Sequence, residues 1–387
     1  MNQTTFIDWI YMAQQRISGA PEWPLVHDGF NLKTRNEFTE GQIDGTNLVF
    51  FERPEDFRYS MKSLPVRGSH STQVITRCDG SEMLISGNVG RFGRPDNIWN
   101  YQLADTVAIA NEIVTGQGLP PFTPGEMLMR QTMSERDRKN GVPPWAYTGA
   151  VFREMHVTRN YATGGDGIAK EYMRFIQGQR SARISKGVFG HESVVFGELA
   201  RRGKPLHKAI VCYRKGPEML AHAKGKEQKA RILKSPEYQL AMDTGLVRVE
   251  CKWGSHFLRD RGLRYLGGCT MAKIISLFER ETAFLLNAEP DRAARVVADM
   301  PPKIRSAALH WIRGDDLRQL YSRATFFRHV KALRDYGIDA SEPRNVSGRP
   351  NSEDALQRML DALPAFTLRE MAAPEWYGLP DVERRAA

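Results

Sequence analysis

Four segments of this 387-residue chain carry side chains whose type and spacing suit phosphate chemistry. In Val151-Phe152-Arg153-Glu154-Met155-His156-Val157-Thr158, a strand would put Glu154, His156 and Thr158 on one side. A carboxylate and an imidazole two residues apart can share a divalent cation, and such mixed oxygen and nitrogen donors suit magnesium or manganese. A solvated strand face with an incidental histidine would be spelled the same way. In Lys208-Ala209-Ile210-Val211-Cys212-Tyr213-Arg214-Lys215-Gly216, Tyr213 and Lys215 are expected to share a face of a strand that ends at Gly216. A phenol, with an ordinary pKa of about 10, is a poor nucleophile. A neighbouring ammonium and a metal-polarised phosphate would ease its attack. An amphipathic edge tyrosine, one of twelve in the chain, reads the same.

The remaining two segments are basic. Between Arg201 and Ser235 stand Arg201, Arg202, Lys204, Lys208, Arg214, Lys215, Lys224, Lys226, Lys229, Arg231 and Lys234, opposed only by Glu218 and Glu227. Such a density beside a candidate nucleophile would hold DNA phosphates in register, although a solvated helix can look alike. In the stretch Gly87 to Trp99, close-set glycines would let backbone amides approach a phosphate. Arg91 and Arg94 would add charge there, and aromatics such as Trp99 could stack on bases. A glycine-rich hairpin loop is the structural alternative. No Walker lysine pattern is present.

These segments need a scaffold of short strands. Phe6 to Tyr11 has strand-type residues, although Phe6, Ile10 and Ala13 could also share a helical stripe, and Gly41 to Phe51 and Ser71 to Ser86 show β-type runs broken by Asp44-Gly45 and Asp79-Gly80 turn signals. Further strands are expected at Ala150 to Thr158, Gly187 to Phe196, Lys208 to Tyr213 and Leu246 to Trp253, with a basic helix near Glu218 to Leu233. Asn100 to Thr115 has helical spacing. After Leu266 the pattern turns helical, at Met271 to Leu286, Asp291 to Ala298, Ala307 to Arg313, Asp315 to Tyr321, Ala324 to Tyr336 and Ser352 to Leu363, with Gly337 at a cap position. The expected fold class is α+β, an antiparallel-sheet nuclease-like body with a helical C-terminal region. The expected units are 1–117 (β-rich), 118–147 (a Pro/Gly-rich connector or excursion), 148–267 (catalytic, β-rich, with the basic helix) and 268–387 (helical).

Composition narrows the classes. Hydrophobic residues make up 41% and charged residues 26%, a globular balance. No apolar window reaches the roughly 18 residues of a membrane span, and Met1 to Arg16 lacks a secretory signal pattern. Cys78, Cys212, Cys251 and Cys269 have no C-x-x-C spacing, which argues against a zinc ribbon or a disulfide framework. Subtracting 45 acidic from 55 basic residues leaves a net charge of +10, and nucleic acid is the commonest polyanionic partner.

Taken in order, the segments resemble the replication initiators of filamentous phages, the gene II/gene X replication protein family, also found on plasmids. The likeness is carried by Phe6-Ile7-Asp8-Trp9-Ile10, by Gly68 to Thr72 through Gly87-Asn88-Val89-Gly90-Arg91-Phe92 and Asn97, and by Arg153 to Asn160 and Ala209 to Lys215. It continues in Gly245 to Glu250 with Leu258 to Gly267, and in Thr325 to His329, Gly337 to Asp339 and Pro374 to Tyr377. The resemblance implies an enzyme that nicks one strand at a double-stranded origin, leaves a 5′-phosphotyrosine and a 3′ hydroxyl, and later recloses the displaced strand. It maps the nucleophile onto Tyr213 and the accompanying lysine onto Lys215. His156 stands where the family has an acidic residue, a departure, and Glu250 becomes a candidate third metal ligand beside Glu154 and His156, although its arginine-rich setting equally suits a structural ion pair. It implies Mg²⁺ or Mn²⁺ as cofactor and, as partners, duplex origin DNA, displaced single-stranded DNA and the host helicase and polymerase. No membrane is implied, and the place of work is the host cytoplasm. The rival is a non-catalytic DNA-binding regulator or strand-protecting protein, which the basic segments would serve equally. A water-using nuclease is a further alternative.

Overall fold

The computed structural model describes residues 4–17, 20–34, 57–70, 72–129, 135–139, 144–178, 186–189, 192–199, 205–223, 225–286, 300–336, 338, 340–341 and 368–379. In chain order the strands are β1 (Thr5–Gln15), β2 (Phe30–Thr34), β3 (Phe57–Met61), β4 (Leu64–Arg67), β5 (Gln73–Cys78), β6 (Glu82–Gly87) and β7 (Met127–Met129). They continue as β8 (Trp145–Tyr147), β9 (Ala150–Ala162), β10 (Lys186–Phe189), β11 (Ser193–Leu199), β12 (Pro205–Arg214), β13 (Leu246–Gly254) and β14 (Arg369–Glu370). One sheet runs β10-β11-β12-β13-β9-β1-β6-β5-β4, with β14 pairing the end of β9; β2-β3 and β7-β8 form two small ribbons. Every pairing is antiparallel. Strands from both expected β-rich parts therefore merge into a single sheet around β1 and β9.

The two faces of the central strands differ. Register aligns Tyr213 with Arg248, Arg248 with Asn160, Glu250 with Thr158 and Lys252 with His156. Directly opposed residues share a face, so these polar groups stand together. The alternate residues Met155, Val157, Val249, Cys251, Cys212 and Phe196 are fully buried on the other face. They share a core with Tyr172 and Met173 of helix Asp166–Gly178 and with Phe278 of helix Met271–Leu286. Phe196 meets Phe284 edge-on, with ring centroids 5.1 Å apart. A chain with period-two alternation has thus placed its apolar half under two helices and left its polar half for chemistry.

The other elements follow the expected pattern with several differences. The helical region appears as Met271–Leu286, Pro302–Ile312, Leu317–Leu320 and Arg323–Asp335. The last three enclose a separate core around Trp311, Phe326 and Leu333. The C-terminal region is not purely helical: β14 rejoins β9 opposite Tyr161 and Ala162. The expected basic helix is two helices, Lys215–Ala221 and Gly225–Leu233. Within 118–147, the β7-β8 ribbon carries exposed Met129 and Trp145. The Asp79-Gly80 signal does mark the β5-β6 turn, where Gly80 has φ +84° and Asp79 accepts from the Ser81 and Glu82 amides. The expected elements at Gly41 to Phe51, Asp291 to Ala298 and Ser352 to Leu363, and the Gly337 cap, lie outside the described residues. Among those described, no helix is long and apolar enough to cross a membrane.

Candidate active site

Glu154 and His156 project from the middle of β9, and Glu250 from β13 beside them. All three are buried at 7% exposure. His156 lies between the two carboxylates: Nε2 is 2.8 Å from Glu154 Oε1 and Nδ1 is 2.8 Å from Glu250 Oε1. Trp9 of β1 stacks near the imidazole, centroids 6.0 Å apart, and Lys252 Nζ lies 3.6 Å from Glu250. Burial alone would discourage charge on His156, but hydrogen bonds to Glu154 and Glu250 override it and raise its pKa. Burial would likewise raise Glu250, yet the hydrogen bond from His156 and the charge of Lys252 hold it down to about 2.

This donor set suits a hard divalent cation, which commonly takes one or two protein carboxylates and leaves its other positions to water and substrate phosphate. Either His156–carboxylate pair offers two such donors. Among the described residues, however, no three His, Cys, Asp or Glu groups are arranged to hold a metal together. The structure does bring the three candidate ligands Glu154, His156 and Glu250 together, with the imidazole between the two carboxylates.

Tyr213 stands near the end of β12, opposite Arg248 and one pair removed from Glu250. Its side chain is partly exposed. Burial of the phenol raises its pKa well above 10, an effect that Arg248 opposes and that Glu250, Glu218 and Asp8 reinforce. The resting phenol is therefore neutral. Arg248 is fully buried: Nε donates to Asn160 Oδ1 at 3.0 Å, and Nη2 donates to the carbonyls of Asn97 and Ile98. Lys215 does not share the Tyr213 strand face. It opens helix Lys215–Ala221, where its buried Nζ donates to Glu218 at 2.8 Å and Asn97 at 3.1 Å. Burial lowers the Lys215 pKa, and Arg248 adds to the effect.

The sequence reading gave no role to the carboxylate that ties these parts together. A break in register between Ile7 and Trp9 leaves Asp8 unpaired in β1. Its Oδ1 accepts from Asn88 Nδ2 at 2.9 Å and Asn97 Nδ2 at 3.2 Å. Asn100 in turn donates to Asn88 Oδ1 at 2.8 Å. Gly90 is required beside this cage, since a Cβ there would fall 1.9 Å from Asn100 Oδ1.

The expected DNA-contacting residues separate into three groups. Lys226 and Lys229 are exposed on helix Gly225–Leu233, and Arg91 is partly exposed. Arg94, Lys208 and Arg214 depart from the expectation. Arg94, 6% exposed, donates to the carbonyls of Gly90 and Trp99 and to Tyr377. Lys208 lies on the helix-covered face of β12 and pairs with Glu281. Arg214 is on that same face, buried between Asp166 and Glu192. Trp99 is buried too, its indole donating to the Met371 carbonyl, and is closed to stacking on bases. Arg201, Arg202 and Lys224 lie outside the described residues.

With this geometry in view, comparison with known proteins adds two findings. Residues 294–382 match the family model of the C-terminal part of the gene II replication-associated protein. The gene II replication-associated protein of Escherichia phage If1 is 26% identical over 329 residues, which cover 78% of this chain and 96% of that relative. Both findings support the gene II family. The family-model match spans the small helical core and the segment carrying β14 and Tyr377, whereas Asp8, His156, Tyr213 and Arg248 precede it. No solved structure matches.

Proposed function

We propose that this protein is a replication initiator that nicks one strand at a double-stranded DNA origin and later recloses the displaced strand. The observation that carries the reading is the shared sheet face of Tyr213, Arg248, Glu250 and His156, set by the β12-β13-β9 register. The likeness to a phage replication-associated protein supports the same role.

In the proposed step, the Tyr213 phenol gives up its proton to solvent and its oxygen attacks the scissile phosphorus. The new bond is Oη–P; the broken bond is P–O3′, and the departing 3′ oxygen takes up a proton. The protein is left on the 5′ phosphate. Because the phosphotyrosine conserves the ester bond, resealing needs only attack by a 3′ hydroxyl and no ATP. When Mg²⁺ or Mn²⁺ is bound by His156 with Glu154 or Glu250, it supplies positive charge to the phosphate oxygens. Lys215, next along the chain from β12, adds a buried positive charge beside the site. Lys226, Lys229 and Arg91 offer contacts to phosphates of duplex and displaced single strands. The freed 3′ hydroxyl would serve a host polymerase and helicase in the host cytoplasm.

The deciding experiment incubates the protein with a supercoiled origin plasmid and magnesium or manganese. A nicked circle carrying covalent protein is expected, and Tyr213→Phe should lose both nick and adduct while keeping origin binding. Binding without nicking would favour a non-catalytic DNA regulator. Nicking without attached protein would favour a water-using nuclease.

A further inference from the structure

The chemistry proposed for Tyr213 leaves open what receives the negative charge on its oxygen, both when it attacks and when it departs during resealing. Of the three cationic side chains that could contribute, two are already engaged. Lys215 Nζ is held by Glu218 and Asn97, and Lys252 leans toward Glu250. Arg248 has committed Nε to Asn160, and Nη2 to two main-chain carbonyls. Its Nη1 is different: it is buried and, among the described residues, has no hydrogen-bond partner, with Asp8 Oδ2 4.0 Å away. Buried guanidinium N–H groups are costly to leave unpaired, and one beside a candidate nucleophile calls for a physical reason.

Resting on the nicking reading above, we infer that Arg248 is a catalytic residue that stabilises the Tyr213 phenolate through Nη1. Tyr213 and Arg248 are direct cross-strand partners on one face, the pairing that brings side chains closest across a sheet. The fork cannot swing away, because Asn160 and the Asn97–Ile98 carbonyls fix its other nitrogens and the Phe6 ring lies 5.5 Å from its carbon. A preset donor aimed at a charge that develops only during reaction favours the transition state over the resting enzyme. The same contact serves both directions, since the phenolate that attacks in nicking is the leaving group in resealing. Asp8, caged by its asparagines, faces the same nitrogen and balances the guanidinium charge while the phenol is neutral.

The test places 3,5-difluorotyrosine, a more acidic phenol, at position 213 in the wild-type, Arg248→Lys and Arg248→Gln chains. Adduct formation on a single-stranded origin oligonucleotide is timed in a single turnover, per molecule of folded protein. Arg248→Gln with ordinary tyrosine should react about 10²- to 10³-fold more slowly, the usual loss for one preset donor to a developing anion. Arg248→Lys should lose less. The fluorinated phenol should recover much of the deficit in both variants and alter the wild type little, because a stabler phenolate depends less on its donor. A purely structural arginine would show no such recovery. If neither Arg248 variant folds, Asn160→Ser loosens the same fork, with an expected slowing of about tenfold that fluorination again repairs. Wild-type rates in the variants, or losses that fluorination leaves untouched, would overturn the role of Arg248. If Tyr213→Phe still forms an adduct, Tyr213 is not the nucleophile, and if the wild-type chain forms none, the nicking reading itself is wrong; both results are independent of Arg248.

Discussion

The two faces of β9, β12 and β13 are written by the same residues in alternation, yet they obey different rules. Toward the helices stand Met155, Val157, Cys212, Val249 and Cys251, all fully buried and apolar. Toward the loops stand Glu154, His156, Tyr213, Arg248 and Glu250, nearly as buried but charged or titratable. Apolar burial needs only good packing. Charged burial needs a partner for each group, and here many of the partners come from far along the chain: Asp8 with Asn88 and Asn97, Arg248 with Asn160, Lys215 with Asn97. One face therefore carries stability and the other carries reactivity that has to be assembled. Mutations should separate them.

The largest separation is expected at Tyr213. Tyr213→Phe removes the attacking oxygen and should slow adduct formation by more than about 10⁴-fold, or about 5 kcal/mol of barrier. The melting temperature should barely move. On the opposite face, Phe196→Ala should do the reverse and cost about 3–5 kcal/mol of stability through the cavity left against Phe284. The rate per folded molecule should be unchanged. Urea unfolding and single-turnover kinetics on the two variants check the contrast; a rate loss in folded Phe196→Ala would show that the faces are not separable.

A finer break lies at Lys215 and Glu218. Removing one partner of a buried pair strands the other, and Lys215→Met should cost about 2–3 kcal/mol, less than for a fully enclosed pair because Glu218 keeps some exposure. Adding Glu218→Leu should return most of that stability without returning full nicking rate. Stability that fails to recover in the double variant, measured by denaturant unfolding, would mean that the pair is not the reason Lys215 is tolerated inside.

How much of this was legible in the sequence depended on sequence separation. Glu154 and His156 on one face followed from alternation within a single strand, and β12 and β13 from their β-type runs. The Asp79-Gly80 turn was local and equally readable. Lys215 was misread because Tyr-Arg-Lys continues the strand spelling, whereas Gly216 and Pro217 let the chain turn into a helix there. Counting basic residues ignored phase: if Tyr213 faces the site, Lys208 and Arg214 must face away, and both pair with acids on the helix side. The Asp8 cage left no trace in any window, since its donors lie 80 and 89 residues away. The contacts of His156 with Glu154 and Glu250 were unreadable for a related reason: spacing fixes which face a side chain takes but not which way an imidazole nitrogen points.

The smallest predicted effect concerns the loop that carries Asn97 and the carbonyls holding Arg248. Tyr377, from the C-terminal segment, locks it: its hydroxyl donates to Asp96 and accepts from Arg94 Nη2 at 2.8 Å, while its ring meets Trp99. Burial, then the neighbouring Asp96 carboxylate, raises the Tyr377 pKa above its ordinary value of 10.0. A raised folded-state pKa means that the contribution is complete below about pH 10, where both states keep the proton. Above that, the unfolded phenol ionises and the folded one does not, so stability falls as pH rises toward the folded pKa. The difference in melting temperature between wild type and Tyr377→Phe, measured from pH 8 to 11, isolates this group from the other tyrosines and lysines. That difference should be steady up to about pH 9.5 and then shrink. Parallel curves across the whole range would mean that the Tyr377 hydroxyl is not held in its neutral form, and that the loop over Arg248 is fastened by Arg94 and Trp99 alone.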